Sequence, residues 1–337
     1  MPDTVNLCMV GCGAVSEWHC DGIDASGGRV RVTAAVDCDA TRAGAVGQRF
    51  GARAFASLDA ALAHGGFEAV LVLLPHDLHE AAARTVFDAG LHLLLEKPIG
   101  PDLETSRRIM AAGREADTVF MVGENAFYWP EVAEAARRID AGEIGEPLTA
   151  SSRFMCVADR GKWHTPGAWR FDQARVGGGI VVDGGSHWIR PLRMWMGDVV
   201  EVAAAIGQPF ADMQGESQAH ALMRFASGRV GSFEALLSES VLGDDWWFRI
   251  TGTQGTLVLG SGVNGKLRLY DADHPEGTLA CEPRGYTAAF SEQMKAFADA
   301  ILEGVPLPSG PEDAFNDQLI IDAIYRAAES RRWESVG

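Results

Sequence analysis

The tripeptide Glu96-Lys97-Pro98 closes a strand-like apolar run, Leu91 to Leu95, and sets an ammonium group at the end of a buried segment. A charge beside such a run invites a functional reading. A lysine there can bind a substrate hydroxyl and stabilise the oxyanion that forms as hydride leaves. Downstream, in the glycine-rich stretch from Gly177 to Arg190, Asp183 and His187 stand at i and i+4 on one helix face, with Arg190 at i+7. Histidine is the usual proton shuttle near neutral pH. Near the N-terminus, right after the first apolar run, lies Gly11-Cys12-Gly13. The first glycine permits a turn. The second lets the backbone approach phosphates at a helix N-terminus, where Ala14 and Val15 follow. Ser16 takes the third fingerprint position. A dinucleotide loop, a lysine at a strand end and an Asp/His pair are the parts of a hydride-transfer site for an alcohol. Each also has a plain structural reading: an ordinary βα turn, a surface lysine, a core histidine bonded to its aspartate.

Other residues extend the set. Asp37 ends the second strand, about 20 residues past the loop, where a carboxylate accepts hydrogen bonds from the ribose hydroxyls of NAD and repels the 2′-phosphate of NADP. NAD is therefore the expected cofactor, with NADP less favoured. Arg42 reads as a solvated helix residue. Pro75 breaks the strand at 68–74, and His76 and His79 follow at its C-terminal edge, where ligands bind in open α/β sheets. Pro75, His76, His79 and Glu96 are read as cofactor-side residues. A metal pair at the histidines is the minor alternative, and no metal is expected. Trp163, Trp169 and Arg170 precede or flank the glycine run and are candidates to line a substrate pocket, with Lys162 and His164 in the same polar-aromatic loop.

The elements that must position these residues follow from the pattern. Apolar runs at 5–10, 30–36, 68–74, 91–95 and 118–122 alternate with helical patterns at 14–25, 40–50, 77–89 and 102–116. Such alternation specifies a parallel sheet with right-handed crossovers. Residues 1–123 are thus expected to form a Rossmann-type, doubly wound dinucleotide-binding domain. Residues 124–337 read as an α+β domain with a large, mostly antiparallel sheet. Its strands are expected at 148–157, 200–207, 217–226, 229–238, 246–251, 255–259, 266–270 and 277–282. One helix at 178–196 interrupts them. Helices at 131–140, 287–303 and 311–330 complete the domain, and the last two are able to pack back on the first. The glycines at 178, 179, 184 and 185 are costly in a helix and suggest close approach of a ligand or of the other domain.

A chain of 337 residues supports two cores. Its formal charge of −17 argues against nucleic acid or an anionic membrane as partner. No apolar run is long enough to span a bilayer. The start, MPDTVNLCMVGCG, lacks a basic n-region, which argues for a cytoplasmic protein. Six cysteines without a CxxC pair read as small buried thiols in a reducing compartment.

The GCGAVS loop, PHDLHEAAARTVFDAGLHLLLEKPIG, AWRFDQARVGGGIVVDGGSHWIRPLRMWMG and EDAFNDQLIIDAIYRAAES together resemble the glucose–fructose oxidoreductase / inositol dehydrogenase / MocA (Gfo/Idh/MocA) family along the length of the chain. The resemblance implies NAD(P)-dependent oxidation of a secondary alcohol on a sugar, cyclitol or similar polyol. Lys97, Asp183 and His187 would be the catalytic group, with His187 as general acid/base. Asn125 would lie on the cofactor side, and a homodimer or homotetramer would form through the second-domain sheet. Two positions depart from the common pattern. Arg190 stands where many members carry Asp, and Glu124 stands where many carry an aromatic residue. Arg190 and Glu124 are both candidates for the substrate pocket; the preferred reading pairs them with each other and leaves a neutral polyol as substrate. Two further readings stay open: redox-neutral glycoside cleavage or epimerisation through transient oxidation, and a non-catalytic NAD(P)-binding regulator.

Overall fold

The computed structural model describes residues 3–165, 167–240, 246–262 and 265–337. The chain divides into two compact units: Met1–Glu124 with Thr287–Phe315, and Asn125–Tyr286 with Asn316–Gly337.

In the first unit, β1 (Val5–Val10), β2 (Val30–Val36), β3 (Arg53–Phe55), β4 (Ala69–Val72), β5 (His92–Leu95) and β6 (Phe120–Val122) form a parallel sheet in the order β3-β2-β1-β4-β5-β6. The strands β1, β4 and β5 are buried on both faces, so their apolar runs do not alternate. Helices Ser16–Asp24, Ala40–Phe50, Leu58–His64, His79–Asp88 and Leu103–Glu115 supply the crossovers. The side chains of Asp39, Ser57 and Asp102 cap three of them by accepting main-chain N–H bonds. The sequence pattern missed β3 and the helix Leu58–His64. The three-residue β3 pairs on one side only, and two of its residues are exposed, so it carries no apolar signal. Strand order reverses about β1, and the segments after β1, β2, β4, β5 and β6 all leave at the same sheet edge. That edge is the ligand-binding edge of an open parallel sheet. Helix Tyr286–Glu303 contributes to this unit, with Phe290 packing on Trp18 and His19.

In the second unit, the strands are β7 (Pro147–Val157), β8 (Val199–Gly207), β9 (Gln218–Phe225), β10 (Val230–Ser238), β11 (Trp246–Gly252), β12 (Gly255–Gly260), β13 (Leu267–Asp271), β14 (Thr278–Leu279) and β15 (Glu334–Ser335). They form one sheet in the order β14-β13-β12-β11-β7-β10-β9-β8-β15. Every described pairing is antiparallel except β7 with β10, which is parallel. Burial alternates strictly along β10, which gives the sheet one core face. Helix Ser186–Met196 covers that face, with Trp188 stacked on Phe154 at 4.1 Å and against Phe248 at 6.2 Å. Among the described residues, no helix is long and apolar enough to cross a membrane.

Candidate active site

The loop after β1 is built on two glycines with different reasons. Gly11 has φ +94°, and a Cβ there would strike the carbonyl of Leu73. Gly13 has open space where a Cβ would stand. The helix that follows has no side-chain N-cap. Among the described residues, the N–H groups of Gly13, Ala14 and Val15 take no protein acceptor. Ser16 is buried and its hydroxyl donates to the Gly13 carbonyl at 2.6 Å, so it completes the turn from inside. An open Gly13 with unclaimed N–H donors at a helix N-terminus fits a dinucleotide pyrophosphate.

Asp37 stands beside this loop. Its carboxylate accepts the Cys12 N–H at 2.8 Å through Oδ2 and the Asp39 N–H at 2.8 Å through Oδ1. Each oxygen keeps a lone pair for a further donor, as ribose hydroxyls would be. Arg42 is exposed and lies 3.5 Å from Asp39, in keeping with its reading as a surface residue.

After β4, Pro75 leads into a short 3-10 turn bearing His76, which is buried. The expected cofactor contact by His79 is not what the structure shows. Its ring is wholly buried, with Nδ1 2.9 Å from the Pro98 carbonyl and Nε2 2.8 Å from the Leu74 carbonyl. His79 therefore sits between the segment after β4 and the segment after β5, and its neutral ring donates to one of the two carbonyls. Burial, reinforced by His76, pushes its pKa down to about 4.

Lys97 leaves β5 half-buried, with a cis peptide bond to Pro98. Glu96 beside it is buried and its Oε2 lies 3.2 Å from Nε2 of His19, itself fully buried. The sequence reading passed over His19. Its signal was its position, three residues past Ser16 on the inner face of the loop's own helix. Glu124 is buried, and its N–H donates to the Val122 carbonyl at 2.8 Å.

In the second unit, the expected helix 178–196 is two pieces, Ile180–Gly184 and Ser186–Met196. Pro191 lies inside the second piece and offers no N–H to the carbonyl four residues before it. The glycines are explained from within the unit, which corrects the expectation of a ligand or the other domain. A Cβ at Gly178 would strike the Tyr325 hydroxyl, at Gly179 the Glu216 carbonyl, and at Gly184 the Phe154 ring.

Asp183 is brought together with three of the predicted residues. Its Oδ2 lies 3.2 Å from Nε of Arg170. The Arg170 guanidinium packs over Trp169 at 4.4 Å and Trp163 at 5.0 Å. Burial, with the Asp183 charge beside it, pushes the Cys156 thiol up to about 11, which leaves it inert as a nucleophile. His164 is also shifted down by burial. His187 is half-buried at the start of the second helix piece. Arg190 is buried, and Asp317 is an acid on it. Nε and a terminal nitrogen lie 2.7 and 2.6 Å from Oδ2. Asp317 lies on helix Pro311–Ser330, and its carboxylate also takes Arg193 at 2.7 Å. Asn125 is buried. Its Oδ1 accepts from the Tyr286 hydroxyl at 3.4 Å, and its Nδ2 has no acceptor among the described residues.

Comparison with known proteins agrees with this layout. Residues 5–124 match the oxidoreductase family's NAD-binding Rossmann fold, and residues 136–336 match its C-terminal alpha/beta domain. A levoglucosan dehydrogenase of Pseudarthrobacter phenanthrenivorans is 26% identical over 310 residues, covering 79% of each chain. An inositol 2-dehydrogenase of Corynebacterium glutamicum is 33% identical over 150 residues, 44% of each. Among solved structures, levoglucosan dehydrogenase in complex with NADH and L-sorbose superposes with a TM-score of 0.88 at 22% identity, covering 99% of both chains, and shows the shared fold. With both domains matched in order, the chain belongs to the Gfo/Idh/MocA family of NAD(P)-dependent oxidoreductases.

Proposed function

We propose that this protein is an NAD-dependent dehydrogenase that oxidises a secondary alcohol on a neutral cyclic polyol, a sugar or a cyclitol. The observation that carries the reading is the Asp183 cluster. A carboxylate held by Arg170 beside two indoles offers a hydrogen-bond acceptor for hydroxyls and flat apolar faces for ring C–H groups. The levoglucosan and inositol dehydrogenases among its relatives act on molecules of this kind by name.

Bound NAD supplies the hydride acceptor. The loop N–H groups at Gly13–Val15 hold its pyrophosphate, and Asp37 holds its ribose and disfavours a 2′-phosphate. The Lys97 ammonium donates to the substrate oxygen as negative charge develops there. His187 takes the hydroxyl proton. Asp183, fixed by Arg170, accepts a neighbouring substrate hydroxyl and sets the ring's orientation. The carbon loses a hydride, the oxygen loses a proton, and a carbonyl forms. Arg190 is committed to Asp317, which supports a neutral substrate over an anionic one. Six unbridged cysteines support a cytoplasmic setting, and exposed Val157, Ile206 and Leu222 on the sheet support association of subunits through it.

The test is cofactor reduction against a panel of neutral sugars, cyclitols, uronates and glycosides, with NAD and NADP in parallel. Net NADH formation with a neutral polyol is expected. Product without net NADH would replace the reading with transient oxidation. Equal efficiency with NADP would remove the role given to Asp37.

A further inference from the structure

The segment that carries Asp183 has little helical stability of its own. It spans only Ile180–Gly184, with glycines at 177, 178, 179, 184 and 185. Isolated helices need roughly 12–15 residues to be even marginal, and each interior glycine costs about 0.8–1.0 kcal/mol. Something outside the segment must hold it.

The first N–H groups of a helix lack internal acceptors. Here three consecutive ones, on Gly179, Ile180 and Val181, are taken by just two residues. The Val181 N–H donates to the Glu216 carboxylate at 2.9 Å. The Ile180 N–H donates to the Glu216 main-chain carbonyl at 2.9 Å. The Gly179 N–H donates to the Tyr325 hydroxyl at 3.4 Å, and that hydroxyl donates at 2.9 Å to Oε1 of Glu216, the carboxylate oxygen that also takes the Val181 N–H. The ladder continues from there. The Val181 carbonyl accepts from Gly185 at 2.8 Å, and the Gly185 carbonyl accepts from Ile189 at 2.9 Å, so the bonds run past the break and into the helix that bears His187. Gly178 and Gly179 leave room for Tyr325 and Glu216 to come this close.

We propose that Glu216 and Tyr325 are positioning residues that set Asp183 and His187 by clamping the three N–H groups at the start of their segment. The inference rests on the catalytic reading of Asp183 and His187. Catalytic groups lose rate when displaced by fractions of an ångström, and the clamp is the fixed end of the ladder they hang on. Burial pushes the Glu216 pKa up while the N–H and hydroxyl donors oppose it, which matches a carboxylate kept in place by its hydrogen bonds.

The test compares Tyr325→Phe, Glu216→Gln and Glu216→Ala with His187→Ala as a control, in the full chain. Turnover, KM for NAD and for the polyol, and amide hydrogen exchange over residues 178–190 are measured. Tyr325→Phe removes the acceptor of the Gly179 N–H and the donor to Glu216, and is expected to lower kcat about 3–10-fold, with KM for NAD unchanged and faster exchange confined to 178–190. Glu216→Ala should lower kcat further, and Glu216→Gln should restore most of it, since the amide oxygen still accepts from Val181. Unchanged kcat and exchange in Tyr325→Phe would overturn the proposal, and that variant decides alone if Glu216→Ala does not fold. A parallel rise in KM for NAD would also overturn it, by showing general loosening. His187→Ala separates the two layers. If it fails to lower kcat about 10²–10⁴-fold, the catalytic reading falls; if it does and the clamp variants match the parent, only the clamp falls.

Discussion

Asp37 spends both carboxylate oxygens on the main chain, one on Cys12 and one on Asp39, before any ribose arrives. It thus fixes the glycine loop, a role that its place at a strand end does not announce. Lys97 has the opposite character: its place after β5 was legible because the apolar run and the charge are adjacent in sequence. We expect Lys97→Ala to lower turnover by roughly 10²–10³-fold, the worth of one donor to a developing oxyanion, with the NAD dissociation constant little changed. Steady-state kinetics beside fluorescence titration of NAD reads both. Near-normal turnover would take Lys97 out of the mechanism. Residues that act through contacts distant in sequence were not legible. His19 meets Glu96, and Tyr325 meets Glu216. Nothing in the local pattern of either chain segment signals the partner, because such pairs are fixed only when the elements pack.

Among the elements, the strands and helices of the parallel sheet were readable because buried strands and capped helices carry period and punctuation. The glycine-rich helix was readable as a helix but not in its break. Close packing by Phe154, Glu216 and Tyr325 demanded glycines at positions where helix propensity argues against them. The same tertiary cause hid a partner of Arg190 from the sequence. Helix Pro311–Ser330 supplies Asp317, and one buried carboxylate serves both Arg190 and Arg193 of helix Ser186–Met196. In sequence Asp317 is simply one acid of an amphipathic helix. Asp317→Ala deprives the buried Arg190 and the half-buried Arg193 of their shared carboxylate and should cost about 3–5 kcal/mol. Urea unfolding of the variant checks this, and a loss below about 1 kcal/mol would show that other groups hold the arginines.

At the scale of the whole molecule, stability should carry the mark of His79. Its folded pKa lies near 4, below the ordinary value of 6.5. The unfolded chain therefore binds a proton that the folded chain refuses between those values. Stability from this group is complete above about pH 6.5 and is lost as pH falls toward 4, by about 3 kcal/mol over the window. Melting temperature against pH, compared between the parent and His79→Gln, should show the parent falling more steeply in that window; parallel curves would refute it. The division of the chain has a consequence in time. The first unit needs Thr287–Phe315 as well as Met1–Glu124, with Phe290 against His19 and Arg29 bonded to Asp299. During synthesis at roughly 5–20 residues per second, the 191 residues from 125 to 315 take about 10–40 s to appear. Through that interval the nascent dinucleotide sheet exists without its last helix, and the helix Ser16–Asp24 keeps its Phe290-facing side exposed to the cell. Arrest-peptide force measurements should place the first unit's folding step only after residue 315 has left the ribosome, and a fragment ending at Glu124 should stay protease-sensitive. In this protein the cofactor fold begins first and is finished almost last.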